Sequence, residues 1–546
     1  MSDRPEDQNQ SPEIIEKDEK KTPSIGGQQV ATAAASIMIA MLISRVLGFV
    51  REAAIGAKFG QNEVTDAYIA AFTLPDFLYF LLVGGALSTA FIPVFSSYIA
   101  TKNDKEAWHV ASSFINAMIL LISVGVVLGI IFTPYLIPLV AYDFKGETLE
   151  QAIFLTRIMF PSVLFTSLAG LAMGVLNSHR HFLMPALGSV VYNVVIILCG
   201  LLLADAYGIA AFSIGVVLGA LANFLVQVPM LRKVGFRYSF TLDLSHPGVR
   251  RIGQLMIPAI IGLSVVQFQE IITQNLASAL EAGSITALRF ANRLMQLPLG
   301  VFAIAISVAI FPTLTHCAAR KEWTDFRQNL SLGLRSVIFI TLPAAVGMAV
   351  LRVPVVQVLF EHGKFDHLAT LTTASVLLFF LIGLFAQGAN QLLPRVFYAL
   401  QRPQIPVRIS AVVLVVNTIL SLLLIPYMGA QGLALAFSIS AFVAFSLFLL
   451  LTRKALGSID GKALLLSIAK SAFASAVMAL VLKGLLLYLP YWIDTSTKTG
   501  QIGFLAVAVT IGALVYGLLA LAMKMEEARL LWTTFMGRFG RLFSRS

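Results

Sequence analysis

From about residue 30 onward, long apolar runs alternate with short polar breaks. "SFINAMILLISVGVVLGIIF" at 113–132 and "SISAFVAFSLFLLL" at 438–451 contain no charged residue. A bilayer core of about 30 Å is crossed by about 20 such residues in helical form. Cutting the chain at charged or turn-rich breaks predicts about fourteen helices of spanning length. Their ranges are 30–52, 64–99, 106–134, 150–176, 184–205, 209–231 and 250–280, then 284–316, 327–350, 368–396, 405–427, 431–452, 464–488 and 502–523. The cut with the weakest signal falls between 205 and 209. The pattern is that of an all-α polytopic membrane protein.

The breaks sort by charge. One set of loops holds Lys102, Lys105, Arg180, Arg232, Lys233, Arg237, Arg250 and Arg251, then Arg320, Lys321, Arg327, Arg402, Arg453, Lys454, Lys462 and the C-terminal arginines. The opposite loops hold little beyond Arg51, Lys58, Lys145, Arg352, Lys364 and Lys498. Lys and Arg accumulate on the cytoplasmic side, so both termini are predicted to be cytoplasmic. Residues 1–29 are polar with mixed charge and read as a disordered tail. The end, 524–546, alternates Leu530, Trp532, Phe535, Phe539 and Phe543 with arginines. It reads either as a basic amphipathic helix on the inner leaflet or as an ordinary positive-inside tail.

Three pairs of segments match at one offset. "AFIPVFSSYIA" at 90–100 resembles "AIFPTLTHCAA" at 309–319, "LNSHRHFLMP" at 176–185 resembles "ALQRPQIP" at 399–406, and "AFSIG" at 211–215 resembles "AFSIS" at 436–440. The offset of about 220 residues spans an even number of helices, so the halves share one orientation. This predicts two six-helix lobes, 30–233 and 248–455, related by a parallel repeat, with two extra C-terminal helices in 463–523.

Composition agrees with the pattern and excludes other classes. The chain is 58% hydrophobic and 12% charged, against about half and about a quarter in soluble domains. The net charge of +11 is spread over loops and is explained by topology, so no nucleic-acid partner is expected. Cys199 and Cys317 stand alone, which argues against a disulfide framework or a zinc site. The seven histidines form no HExxH, and there is no GxxxxGK[ST] loop, so neither metal chemistry nor ATP-driven work is expected.

Charge inside spans is costly and faces a cavity or a partner. Helix 1 carries Ser44, Arg45, Arg51 and Glu52 near its outer end, with Gly48 permitting a bend, and helix 2 returns with Asp66, Pro75 and Asp76. In the second half, helix 7 carries Gln267, Gln269 and Glu270, and helix 8 returns with Arg289, Asn292 and Arg293. Two such hairpins facing each other enclose an arginine-rich cavity suited to phosphate or carboxylate oxygens. Glu52, Asp66 and Glu270 are placed to bridge arginines between the halves as an outer gate. Snorkelling at the interface is the competing explanation for Arg51 and Glu52, and proximity to a helix end for Arg289 and Glu270. Gly84-Gly85 and Gly170/Gly174 read as helix packing.

"SRVLGFVRE", "TDAYIAAFTLPDFL", "GALSTAFIPVF", "NRLMQLPLGV" and "GKF" at 363–365 together resemble the MurJ (MviN) family. These are lipid II flippases of the multidrug/oligosaccharidyl-lipid/polysaccharide exporter superfamily, and the resemblance spans nearly the whole chain from about residue 30. It implies a fourteen-helix, two-lobed, alternating-access transporter, not an enzyme, in the bacterial cell membrane. It also implies a cationic cavity for an undecaprenyl-diphosphate-linked peptidoglycan precursor, with a lipid-tail groove at helices 13 and 14. The functional positions carry over to Ser44, Arg45, Arg51, Asp66 and Arg293, and Glu52 stands where the family is acidic.

There are departures. Some members have an arginine pair where this chain has Tyr79 and Phe80, and a glutamate where it has Gly84. Some bind sodium through helices 7, 11 and 12, but helix 11 here has no carboxylate. No cofactor is expected, and the membrane potential or a coupling ion stand as the energy sources. Membrane lipids are expected partners, and cell-wall synthesis enzymes are further candidates. A flippase for another lipid-linked polysaccharide and a cation-coupled drug exporter of the same superfamily are the alternatives. The arginine excess argues against the exporter.

Overall fold

The computed structural model describes residues 27–84, 87–101, 103–457 and 460–529. The tail expected at 1–29 lies outside the described residues up to 26, and its last three residues already belong to a helix. The basic stretch 530–546 also lies outside them.

The first half comprises α1 (Gly27–Phe59), α2 (Glu63–Tyr79), α3 (Ile92–Ala100), α4 (Asp104–Val140), α5 (Gly146–Ser178), α6 (Leu183–Tyr207) and α7 (Ala210–Lys233). The second comprises α8 (Pro247–Ala277), α9 (Ser284–Pro298), α10 (Ile304–Arg320), α11 (Trp323–Val350), α12 (Arg352–Phe360), α13 (His367–Ile382), α14 (Leu384–Ala399) and α15 (Gln404–Leu456). α16 (Gly461–Tyr488) and α17 (Lys498–Ala522) follow. No strand occurs among the described residues.

Among the described residues, ten helices are long and apolar enough to cross a membrane, or eleven when α13 and α14, bent by 48° at Gly383, count as one span. Each of the ranges predicted from hydropathy falls mainly on helix, yet length and hydropathy alone give fewer spans than the expected fourteen. Charge lowers the apolarity of some helices, and α15 runs through a non-helical residue, Gly429. Gly48 lies inside an unbroken α1 rather than at a break in it.

The duplication is written in the backbone. α2 passes into α3 through π-helical turns at Phe80–Gly84 and Leu87–Phe91, and α9 passes into α10 through one at Leu299–Ala303. Gly208 (φ 56°, ψ −142°) separates α6 from α7, and Gly429 (φ 54°, ψ −131°) interrupts α15 in nearly the same conformation. Left-handed backbone recurs in pairs at Gly60 and Gly283, Arg180 and Gln401, and Gly235 and Gly457. All these pairs are about 220 residues apart, the offset of the sequence matches. A side chain at Gly208 or Gly429 would strain that conformation, which is why the shortest connections carry glycine.

Apolar packing gives each half its own interior. Phe91, Phe95, Phe114 and Ile122 centre one buried cluster, while Leu330, Leu334, Leu392 and Phe397 centre another. Gly170 and Gly174 pack against Val83 and Leu87, in keeping with a packing role. A third cluster, containing Ile55, Ile69, Phe290, Phe360 and Phe365, draws on both halves at the end predicted to be outer. There the backbones touch. The Lys364 N–H donates to Ala57 O at 2.8 Å, Gly60 lies against Lys364 O, and Gly363 (φ 57°) leaves no room for a Cβ beside Ala57 O.

Gly363→Ala is therefore expected to part the end of α1 from the 361–365 loop, since left-handed backbone alone costs a residue with a Cβ about 1–2 kcal/mol. Disulfide cross-linking between cysteines at 58 and 364 measures this. The yield should fall several-fold in the variant, and an unchanged yield would contradict the packing.

Candidate functional site

α1 and α9 face each other across a cavity of about 770 Å³. Ser44 and Gly48 are four residues apart on α1, and Arg45, Gly48 and Arg51 follow at three-residue steps, so they line one side of the helix. Arg289, Asn292, Arg293 and Gln296 do the same on α9. α8 adds Gln269, Glu270, Thr273 and Gln274, α6 adds Tyr192 and Asn193, and α14 adds Gln387 and Gln391. All five charged residues predicted for the site besides Glu52 and Asp66, namely Arg45, Arg51, Glu270, Arg289 and Arg293, thus meet in one chamber, with Ser44 beside them.

Glu52 links the two hairpins. It is buried, and its Oε1 accepts from Arg293 Nε at 2.9 Å, with Arg289 Nε and Arg51 Nη2 each 3.9 Å away. One carboxylate therefore sits among three guanidinium groups, two of them from the other half. Arg289 also lies over the Phe72 ring at 5.8 Å, a cation–π contact. Arg45 reaches across the chamber until its guanidinium packs on Gly300, where a Cβ would collide with it. Ser44 is held by Asn193, whose Nδ2 lies 3.4 Å from both Ser44 O and Ser44 Oγ.

The other two predicted gate acids behave differently. Asp66 bridges no arginine. It is buried and accepts from the Gly283 and Thr286 N–H groups at 2.7 and 2.8 Å, and from the Thr286 hydroxyl. It thus caps α9 from the neighbouring hairpin, where unpaired N–H groups and the helix dipole favour a carboxylate. Asp66 links the halves by helix capping rather than by the ion pair expected of it. Glu270 lines the cavity without an ion pair among the described residues. Tyr79 lies beside Gly170, and its ring packs edge-on against Phe80. Tyr79 thus packs between helices, while Phe80 and Gly84 remain exposed.

Such a chamber offers fixed guanidinium donors, amide side chains from Asn and Gln, and one tethered carboxylate. It suits an anion with phosphate or carboxylate oxygens and a polar body.

Comparison with known proteins decides the assignment. The model of the family described as "Lipid II flippase MurJ" matches residues 55–503. The chain belongs to that family. A relative from Buchnera aphidicola of the pea aphid, named a probable lipid II flippase MurJ, is 33% identical over 423 residues, covering 77% of this chain and 82% of the relative. A solved lipid II flippase MurJ in an inward closed conformation superposes with a TM-score of 0.76 at 28% identity, covering 89% of this chain and 97% of that one. An inward-facing MATE-family multidrug resistance transporter shares the fold, with a TM-score of 0.64 at 14% identity. The protein is therefore a multi-pass membrane protein with the fold these transporters share.

Sequence reasoning missed Tyr192, Gln387, Gln391 and the role of Gly300. The glutamines were the findable ones, since two amides four residues apart share one helical face. Gly300 carried no such signal, because its use depends on a side chain from the other half.

The Glu52 link is expected to show as energetic coupling. Removing one member of a buried charge pair strands the other, whereas removing both relieves it. In thermal unfolding of the purified protein, Glu52→Gln and Arg293→Gln should each lower the midpoint, and the double variant should lose less than their sum. A coupling energy of about 1–2 kcal/mol fits one buried and one half-exposed partner. Strict additivity would contradict the link.

Proposed function

We propose that the protein moves the undecaprenyl-diphosphate-linked peptidoglycan precursor from the inner to the outer leaflet of a bacterial cell membrane, without chemical change. The reading rests on family membership together with one observation: a chamber in which three arginines, drawn from both halves, converge on one buried carboxylate, Glu52. A diphosphate entering this chamber competes with Glu52 for Arg293 and Arg289, and Arg45 and Arg51 close on it from α1. Once the phosphate oxygens replace the carboxylate, the hairpins lose the ion pair that joins them. The closed outer end then opens as the halves rock.

In this reading 30–233 and 248–455 are the two moving lobes, and Asp66 with Glu52 holds the outer side shut in the empty state. α16 and α17, within 463–523, supply the groove for the polyprenyl tail. Both termini are cytoplasmic. The membrane potential or a coupling ion resets the cycle, membrane lipids surround the protein, and cell-wall synthesis enzymes are candidate partners.

A second reading, export of another lipid-linked saccharide, is favoured by Tyr79 and Gly84, uncharged where some relatives are charged. It keeps the same diphosphate site and changes only the glycan.

Arg45→Ala and Arg293→Ala are expected to abolish rescue of a bacterium depleted of its own lipid II flippase, with normal membrane levels of each variant. A leaflet-accessibility assay for lipid II should show precursor trapped inside in the same cells. Full growth with either variant would remove the cavity from the mechanism, and rescue failure of the unaltered protein would favour the other saccharide.

A further inference from the structure

The linker between α7 and α8 is extended, and it is fastened to α4 along its length. Asn116 Nδ2 donates to Ser239 O and Thr241 O at 3.1 and 2.8 Å, and its Oδ1 accepts from the Tyr238 hydroxyl at 2.6 Å. The Ser239 N–H donates to Ser112 Oγ at 3.1 Å, and the Asp243 N–H to Ser113 Oγ at 3.4 Å. His246 meets Glu106 at 3.0 Å, and Phe236 sets its ring edge-on to Trp108. Successive side chains of an extended segment point to opposite sides. Ser239, Thr241 and Asp243 turn to α4. The alternate residues Phe240, Leu242 and Leu244 turn away and are 92%, 51% and 56% exposed.

Such a row is unusual on a water-facing loop. Its depth is set by α4. At 37 residues, α4 extends about 55 Å, well beyond the apolar core of about 30 Å, so its first turns stand outside the hydrocarbon. The strap reaches furthest along α4 at Asn116. Just beyond, residues 117–132 contain one polar side chain, Ser123. Phe240 therefore sits level with the start of the apolar run. Arg232, Lys233, Arg237, Arg250 and Arg251 flank the row, all of them exposed.

We propose that residues 236–245 form an interfacial strap that inserts Phe240, Leu242 and Leu244 into the anionic inner leaflet, with the flanking arginines and Lys233 on lipid phosphates. Apolar side chains beside basic ones are the chemistry that holds a segment in the headgroup layer. A soluble protein partner would need no match between the strap and the apolar boundary of α4. Because the first turn of α8 packs directly on the same region, with Gly248 against Tyr98 and Val110, the strap ties the junction between the halves to the bilayer. The inference is independent of which lipid-linked substrate is carried.

The test uses the full chain with Cys199→Ser and Cys317→Ser, reconstituted in vesicles of phosphatidylcholine and phosphatidylglycerol. Single cysteines replace Phe240, Leu242, Leu244 or Ser245 in turn and carry a nitrobenzoxadiazole label. A nitroxide placed high on the lipid acyl chain should quench the labels at 240, 242 and 244 several-fold more than the label at 245. Omitting phosphatidylglycerol should weaken that quenching. Ready quenching at all four positions by aqueous iodide, with none by the nitroxide lipid, would overturn the proposal and leave the row as a surface for a soluble partner. Three labelled positions keep the outcome readable if one substitution prevents folding.

Discussion

One buried carboxylate shared among three guanidinium groups is the constraint around which this transporter is organised. Glu52 is nearly inaccessible to water, and its closest partner, Arg293, belongs to the other half of the chain. A charge removed from water survives only where opposite charge and hydrogen bonds replace hydration. Here three guanidinium groups replace it, with Glu270 on the same chamber wall. These arginines face an open chamber, where an anion would compete with Glu52 for them. The interaction an anionic headgroup would compete for is thus the one that joins the two halves.

The rest of the architecture keeps that competition local. Asp66 caps α9 across the halves, and Gly60, Gly283 and Gly363 let backbones meet where a Cβ would keep them apart. These contacts lie beyond Glu52 toward the same end, so loss of the ion pair acts beside the closure. The repeated π-helical turns and the paired left-handed glycines give both halves the same helix breaks. The second hairpin therefore faces the first with its charges at matching depth. The inter-half strap on α4 fixes the opposite end of the junction.

Much of this was legible in the amino-acid sequence, because a membrane makes hydrophobicity nearly synonymous with helix. Helix positions, the offset of the repeat and the convergence of Arg45, Arg51, Arg289 and Arg293 all followed from apolar runs and the cost of charge within them. The gate acids were less legible. Glu52, Asp66 and Glu270 look alike in sequence, yet one is an ion-pair hub, one is a helix cap, and one lines the chamber. Their roles depend on which backbone donors and side chains the other half presents, and local pattern does not encode that. Gly300 escaped for the same reason, while the two helices expected within 405–452 are there, separated by the non-helical Gly429.

The most direct measurement of the central claim is the distance across the outer closure in the reconstituted protein. Spin labels at Glu63 and His362, both exposed and on opposite halves, report it by pulsed electron resonance. On addition of lipid II, the account predicts a population at longer distance that disappears in Arg293→Ala. An unchanged distance distribution with saturating substrate, or the same lengthening without Arg293, would contradict it.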